Sequence, residues 1–321
     1  MIKAAVREEY CSPEHLRVKS IPKPVPGKGE IGVRVMATTI NRTDCAVLTG
    51  EPFIMRFFTG LKRPTRPVPG TDFAGVVDAV GPGVTAFQPG DRIWGFDDNG
   101  IGSQGEYMVI AAKRPISRIP EGISFAGAAA SAEAAHYALN FLRKVQPQAG
   151  QAVLVNGGTG AIGSALIQML AQQEVHITAT AATPHLELVK GLGAHRVIDY
   201  TRENFLEENK KYHIIFDAVG KSTFGLCKPL LHPGGIYQSS ELGPGNENLY
   251  LPLLTRFRKD ARVVFPFPVD IPGSLECMGE MLRMGTFRPV ISKTYRLEDI
   301  AAAYAFVASG QKTGNVVLDL S

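Results

Sequence analysis

The sequence predicts an α/β protein in which a compact antiparallel β part precedes a doubly wound parallel sheet. Three observations carry that prediction. The first 120 residues hold short alternating or apolar runs broken by Gly/Pro turns. Beyond residue 150, strands alternate with helices at the spacing of βαβ units, whose crossover rule yields a parallel sheet. The first of those strands runs into Gly157, Gly160 and Gly163 in the stretch VLVNGGTGAIGSALIQMLAQQ. A chain of 321 residues exceeds one typical core, so two domains are expected.

In the first part, IGVRVMATTI (31–40), FAGVVDAVG (73–81), DRIWGF (91–96) and GEYMVI (105–110) read as strands. The intervening PVPGKGE, GPGV and QPGD are turns, because Gly and Pro punctuate a ladder. At Ser124 the texture changes to AGAAASAEAAHYALNFLRKV, a small-residue helix, so a domain boundary is expected near Pro120. That division assigns 1–122, completed by 266–321, to one domain and 123–265 to the other. Strand AVLVNG, helix AIGSALIQMLAQQ, strand VHITATA, helix PHLELVKGLG and strand RVIDY follow. After the charged segment TRENFLEENKKY come strand HIIFDAVG, a helix and strand GGIYQSS. The tail breaks this rhythm with strand RVVFPF, helices SLECMGEMLRMG and EDIAAAYAFVASG, and strand NVVLDL.

With 45% hydrophobic and 20% charged residues the chain reads as an ordinary soluble globular protein. Its net charge of +4 comes from cations scattered among acids, which implies neither nucleic acid nor an anionic membrane as main partner. Cys11, Cys45, Cys227 and Cys277 lie far apart without CxxC spacing, so no disulfide framework or structural zinc is expected. A reducing, cytoplasmic setting follows as the expectation. No apolar run reaches transmembrane length.

A strand, a glycine turn and a helix in that order form an anion site. Glycines let phosphates approach the backbone N–H groups of Ala161 and Ile162, and the helix dipole favours the negative charge. The next strand ends in TATAATPH (178–185), without the acid that would bind a ribose 2′-hydroxyl. NADPH is therefore expected over NADH, with Thr183 and His185 within reach of the 2′-phosphate and Thr180 among the cofactor-binding residues. The same stretch also reads as a plain strand end and helix start, Thr183 preceding Pro184 at the first helical position.

NRTD (41–44), PGTDFAGVVDAVGPGV (69–84), PGDRIWGF (89–96), GEYMV (105–109), the glycine loop and LGAHRVIDYTRENF (192–205) occur in this order. FDAVG (216–220), PGGIYQSS (233–240) and TGNVVLDL (313–320) follow. Over nearly the whole chain this order resembles the medium-chain dehydrogenase/reductase superfamily, in its zinc-free quinone oxidoreductase-like branch. The resemblance implies a GroES-like β-rich catalytic domain rejoined by the C-terminal segment, a Rossmann cofactor domain and a homodimer. Asn41 stands where zinc members carry a Cys, and their four-cysteine lobe is absent, so no catalytic zinc is expected. Without a metal to polarise an alcohol, hydride delivery to a quinone or an activated enone is the expected chemistry. An alcohol dehydrogenase, a carrier-linked enoyl reductase and a non-catalytic NADPH sensor remain alternatives.

The resemblance places Asn41 and Asn315 near the nicotinamide and Tyr200 beside the adenosine phosphate, while Val219 and Ser239 close later strands where ligands gather. The tyrosine that many quinone reductases use is Ala46 here. Glu133, His136 and Tyr137 are spaced to share a helical surface, the pattern of an acid–base group, though a dipole-facing Glu and a core Tyr fit as well. Cys45 beside NRTD is a candidate reactive thiol, against the reading of an inert buried Cys. EPFIMRFFTGLKRPTRP (51–67) offers Phe53, Phe57 and Phe58 to a flat apolar substrate, a lid or a subunit contact. Its Arg56, Lys62, Arg63 and Arg66 read as a solvated face.

Overall fold

A computed structural model describes residues 1–321. The chain divides into two compact units, Met1–Glu133 with Asp270–Ser321, and Ala134–Val269.

In the first unit, β1 (Ile2–Val6) and β2 (Arg17–Ile21) pair antiparallel. Then come β3 (Glu30–Ile40), α1 (Arg42–Thr49), α2 (Met55–Thr59), β4 (Asp72–Val80), β5 (Arg92–Phe96), β6 (Tyr107–Ala111), β7 (Ile116–Arg118) and α3 (Phe125–Ala130). The long strand β3 organises the sheet, pairing with β4 along most of its length and with β6 through Glu30–Arg34. The alternation of Ile31, Val33 and Val35 puts these residues in one core with Phe73, Val77 and Ile93. The helix expected from Ser124 onward is broken at Ser131, the C-cap of α3. α3 packs on β3 and β4, so the first unit takes it in.

The second unit starts within α4 (Glu133–Val145). It continues with β8 (Ala152–Asn156), α5 (Ala161–Leu170), β9 (His176–Ala181), α6 (Leu186–Gly191), β10 (Arg196–Asp199), β11 (Tyr212–Asp217) and α7 (Phe224–Cys227). β12 (Leu231–Ser239), α8 (Glu247–Thr255) and β13 (Ala261–Val263) complete it. All six strands are parallel in the order β10-β9-β8-β11-β12-β13, the doubly wound arrangement. The order reverses between β8 and β11, and the glycine loop leaves the carboxyl end of β8 at that switch point. Val153, Leu154, Val155, Ile215 and Phe216 are fully buried, as central strands covered on both faces require. The strand expected over 262–267 stops at Val263, because Pro266 and Pro268 lack the N–H a ladder needs.

The tail, α9 (Ile271–Met284), β14 (Ile291–Arg296), α10 (Ile300–Ala308) and β15 (Asn315–Asp319), rejoins the first unit, β15 pairing with Ala37–Ile40 of β3. β14 lies parallel to β15, because α10 carries the chain back along the sheet. The first sheet is therefore mixed rather than wholly antiparallel.

Candidate active site

The three glycines after β8 do different work. Gly157 has φ +87°, and a Cβ there would lie 2.3 Å from Val219 Cγ1. A Cβ on Gly163 would lie 2.1 Å from the Gly157 carbonyl oxygen, so the first turn of α5 rests directly on the loop backbone. Gly160 is the extended N-cap of α5 and offers no side-chain acceptor to the helix; a Cβ there meets only Gly157 O at 3.5 Å and Val219 Cγ1 at 3.9 Å. The result is a backbone concavity at a helix N-terminus, with Ala161 and Gly163 buried and Ile162 half-buried.

Side chains from the neighbouring strands pin this loop. Thr180 Oγ1 on β9 accepts from Gly157 N–H at 2.8 Å and donates to Asn156 Oδ1 at 2.8 Å. Asn156 Nδ2 in turn donates to Asp217 Oδ1 at 3.1 Å, tying together the carboxyl ends of β9, β8 and β11. The buried Thr180 hydroxyl is thus engaged on both sides and supports the loop backbone.

Thr183 is exposed at the end of β9 and donates to the Asp199 carboxylate, with Thr201 Oγ1 3.0 Å away. Asp199 ends β10 opposite Ala181, and the hydroxyls of Thr183 and Thr201 hold its carboxyl below the usual range. The exposed Arg202 brings its Nε to 3.6 Å from Asp199 Oδ2. An acid and a cation that are missing from the local sequence of β9 therefore reach it from β10. His185 is half-buried in the short turn Thr183–His185, and Tyr200 is exposed just past β10. Val219 packs on Gly157, and the buried Ser239 at the end of β12 accepts from Glu241 N–H at 3.2 Å.

In the first unit, Asn41 caps α1 in a capping box. Its Oδ1 accepts from Asp44 N–H at 2.7 Å, the Asp44 carboxylate accepts from Asn41 N–H at 3.2 Å, and its Nδ2 donates to Thr71 Oγ1 at 2.8 Å. That box sets the first turn of α1, from which Thr43 Oγ1 reaches Glu133 Oε1 at 3.0 Å. Burial, then the nearby Asp72 and Asp98 carboxylates, push the Glu133 carboxyl up to about 8, so it holds its proton at neutral pH. Asp72 is raised to about 6 by burial, although Thr39 N–H donates to it at 2.7 Å with the Thr38 and Thr39 hydroxyls alongside. Burial also pushes Lys312 down, and its Nζ donates to Gly314 O at 2.6 Å.

Burial, then the Asp44 carboxyl, push the half-buried Cys45 thiol up to about 12, which disfavours the thiolate its candidate role needs. Asn315 is buried at the start of β15 with its Nδ2 donating to Val290 O at 3.1 Å. In the second unit the buried His136 has its ring 3.2 Å from Asn140 Nδ2 and meets the half-buried Tyr137 edge-on, centroids 5.7 Å apart. Thr43, Lys312, Asp199 and Arg202 were not among the residues singled out from the sequence. Thr43 sits inside the NRTD motif and Asp199 and Arg202 inside IDYTREN, yet no spacing rule marks their partners.

Two family models match the chain: the alcohol dehydrogenase GroES-like domain over residues 27–121 and the zinc-binding dehydrogenase over residues 192–318. The chain is 33% identical over 335 residues to the chloroplastic NADPH-dependent alkenal/one oxidoreductase of Arabidopsis thaliana, covering 99% of this chain and 79% of that protein. It is 29% identical over 320 residues to a chloroplastic quinone oxidoreductase of Triphysaria versicolor, covering 95% and 94%. The structure of the quinone oxidoreductase from Coxiella burnetii has the same fold, with a TM-score of 0.86 over 99% of both chains at 23% identity. Although one matching description names zinc, no group of three or more His, Cys, Asp or Glu side chains here is placed to hold a metal ion. These matches, which span both units and agree with the strand order and the glycine cradle, show that the chain belongs to the medium-chain dehydrogenase/reductase superfamily, in its quinone oxidoreductase-like branch.

Proposed function

We propose that the protein is a zinc-independent oxidoreductase that uses NADPH to reduce a quinone or the C=C of an activated enone. The observation that carries this reading is the glycine cradle at the switch point, where a Cβ on Gly157 or Gly163 would collide with its surroundings. Bound there, a reduced nicotinamide dinucleotide supplies the hydride. The N–H groups of Ala161, Ile162 and Gly163 bind the pyrophosphate at the positive end of α5. The exposed Arg202 supplies the cation for the 2′-phosphate and offsets the Asp199 carboxylate, with Thr183 at the same strand end. Thr43 donates its hydroxyl proton to the acceptor oxygen where negative charge develops, and protonated Glu133 replenishes it. The acceptor thereby gains one hydride and one proton, and water reprotonates Glu133. The naming of the Arabidopsis relative for NADPH and alkenals, and of the Triphysaria relative for quinones, supports the same donor and acceptor classes.

A homodimer is part of this reading. The short edge strand β13 and the exposed Leu253, Leu254 and Phe257 offer an apolar border to the parallel sheet. The test is oxidation of NADPH by 1,2-naphthoquinone with chelator-treated protein, NADH serving as parallel donor. Turnover that survives the chelator and prefers NADPH is expected. Tight NADPH binding without turnover on quinones or enones would overturn the catalytic reading.

A further inference from the structure

The segment that follows α1 is built inside out. Ile54, Phe57 and Phe58 fall at the i, i+3, i+4 spacing of one face of α2, Leu61 follows the turn at Gly60, and all four are between 51% and 68% exposed. Phe53 is exposed as well and meets Phe57 edge-on at 5.8 Å. The side of α2 turned toward the protein is the polar one. Thr59 is buried, bonded to Tyr10 Oη at 2.7 Å and to Met55 O at 2.9 Å. Arg56 donates to Gly50 O at 3.1 Å and lies 4.7 Å above the Tyr10 ring, while Thr65 N–H bonds Thr59 O at 2.8 Å. Five apolar side chains are thus held in water by a well-bonded turn, an arrangement that marks an interaction surface.

Charge selects the occupant. Residues 51–67 carry four cations, Arg56, Lys62, Arg63 and Arg66, against one acid, Glu51, which pairs with Arg56 at 3.6 Å. Lys62, Arg63 and Arg66 are exposed in the residues that follow Leu61. A second copy meeting this face with its own residues 51–67 would bring those three cations only one acid, Glu51, which is already paired with Arg56. An anionic bilayer instead takes the aromatic and aliphatic side chains at its headgroup boundary and pairs the cations with lipid phosphates.

We propose that the face formed by Phe53, Ile54, Phe57, Phe58 and Leu61, with Lys62, Arg63 and Arg66 at its edge, docks reversibly on an anionic lipid bilayer. No helix of the chain is long and apolar enough to cross a membrane, so the contact is peripheral. The inference is independent of the proposed activity.

The test is co-sedimentation of the full chain with vesicles of phosphatidylcholine alone and of phosphatidylcholine containing phosphatidylglycerol. Binding is expected only to the second, weakening as salt is raised. A triple variant, Lys62→Glu, Arg63→Glu and Arg66→Glu, should lose at least about a hundredfold in vesicle affinity, each cation near an anionic surface contributing about fivefold. A second variant, Phe57→Ser with Phe58→Ser, should also release the protein; both side chains are exposed, and circular dichroism checks that the fold survives. Equal binding to both vesicles, or binding to neither, would overturn the proposal. So would a dimer in solution that the Phe57→Ser, Phe58→Ser variant abolishes, which would assign the face to a second copy.

Discussion

In the proposed function, Glu133 is the residue on which the most chemistry turns. A carboxyl raised to about 8 and bonded to Thr43 is an acid at neutral pH, so turnover with an enone should fall as pH rises through about 8. Glu133→Gln keeps the shape but carries no transferable proton; it should lower kcat roughly a hundredfold or more and remove that limb of the pH profile. Thr43→Val should behave similarly and Thr43→Ser should retain activity, whereas three wild-type profiles would assign Glu133 to packing. The same shift governs stability. A carboxyl whose folded pKa lies above its ordinary 4.5 contributes stability fully below that value, and loses it as pH rises through about 8. Urea unfolding should therefore show wild type weakening across that window by up to about 1.4 kcal/mol per pH unit relative to Glu133→Gln. Asp72, raised to about 6, adds the same sign lower in the range. Spacing on α4 marks Glu133 as a candidate, but nothing local marks its partner. Thr43 is 90 positions away, and only the packing of α1 brings its hydroxyl in. Asn41 and Thr180 show the converse: both have suitable chemistry, and both use it within the protein, on Asp44 and Thr71 and on Gly157 and Asn156.

Among the elements, the loop from β8 to α5 was legible because everything it needs is local: a buried strand, glycines at fixed spacing and an apolar helix. Its glycines separate two kinds of failure. Gly157→Ala places a side chain at φ +87° and against Val219, and Gly163→Ala drives one into the Gly157 carbonyl, so both should lower the melting temperature along with nucleotide affinity. Gly160→Leu has room for its Cβ and should keep the fold while filling the cradle, with NADPH affinity lowered at least about tenfold by fluorescence titration. Equal affinity in Gly160→Leu would mean that phosphates do not sit there. At the neighbouring strand ends, Arg202→Ala should weaken NADPH but leave NADH unchanged, because only the former carries the 2′-phosphate. Elements set by distant contacts were harder to read. β14 is a mostly exposed edge strand without alternation, recognisable only through its pairing with β15. The break between α3 and α4 lies in a run of alanines that gives no local stop signal.

On the scale of the whole molecule, composition concealed what the fold concentrates. A net charge of +4 spread over 321 residues suggests no charged partner, yet a local excess of three cations falls within residues 51–67, beside an outward apolar face. The proposed metal-free chemistry likewise rests on how donors are placed across the chain. Asn41 and Thr71 bond each other, Asp72 is enclosed by threonine donors, and no three His, Cys, Asp or Glu side chains converge for a metal. Chelation should therefore change neither the melting temperature nor NADPH-dependent turnover. Nucleotide should change both, because a ligand that binds only the folded chain stabilises it by mass action. At a hundredfold excess over its Kd, NADPH should add about 2.7 kcal/mol, and NADH at the same concentration less if Thr183 and Arg202 recognise the 2′-phosphate. The two nucleotides compared in one thermal series, with and without chelator, separate three cases. A larger shift with NADPH that chelator leaves alone supports the zinc-independent reading. Equal shifts would remove Arg202 from cofactor choice, and a shift that chelator abolishes would restore a metal to the site.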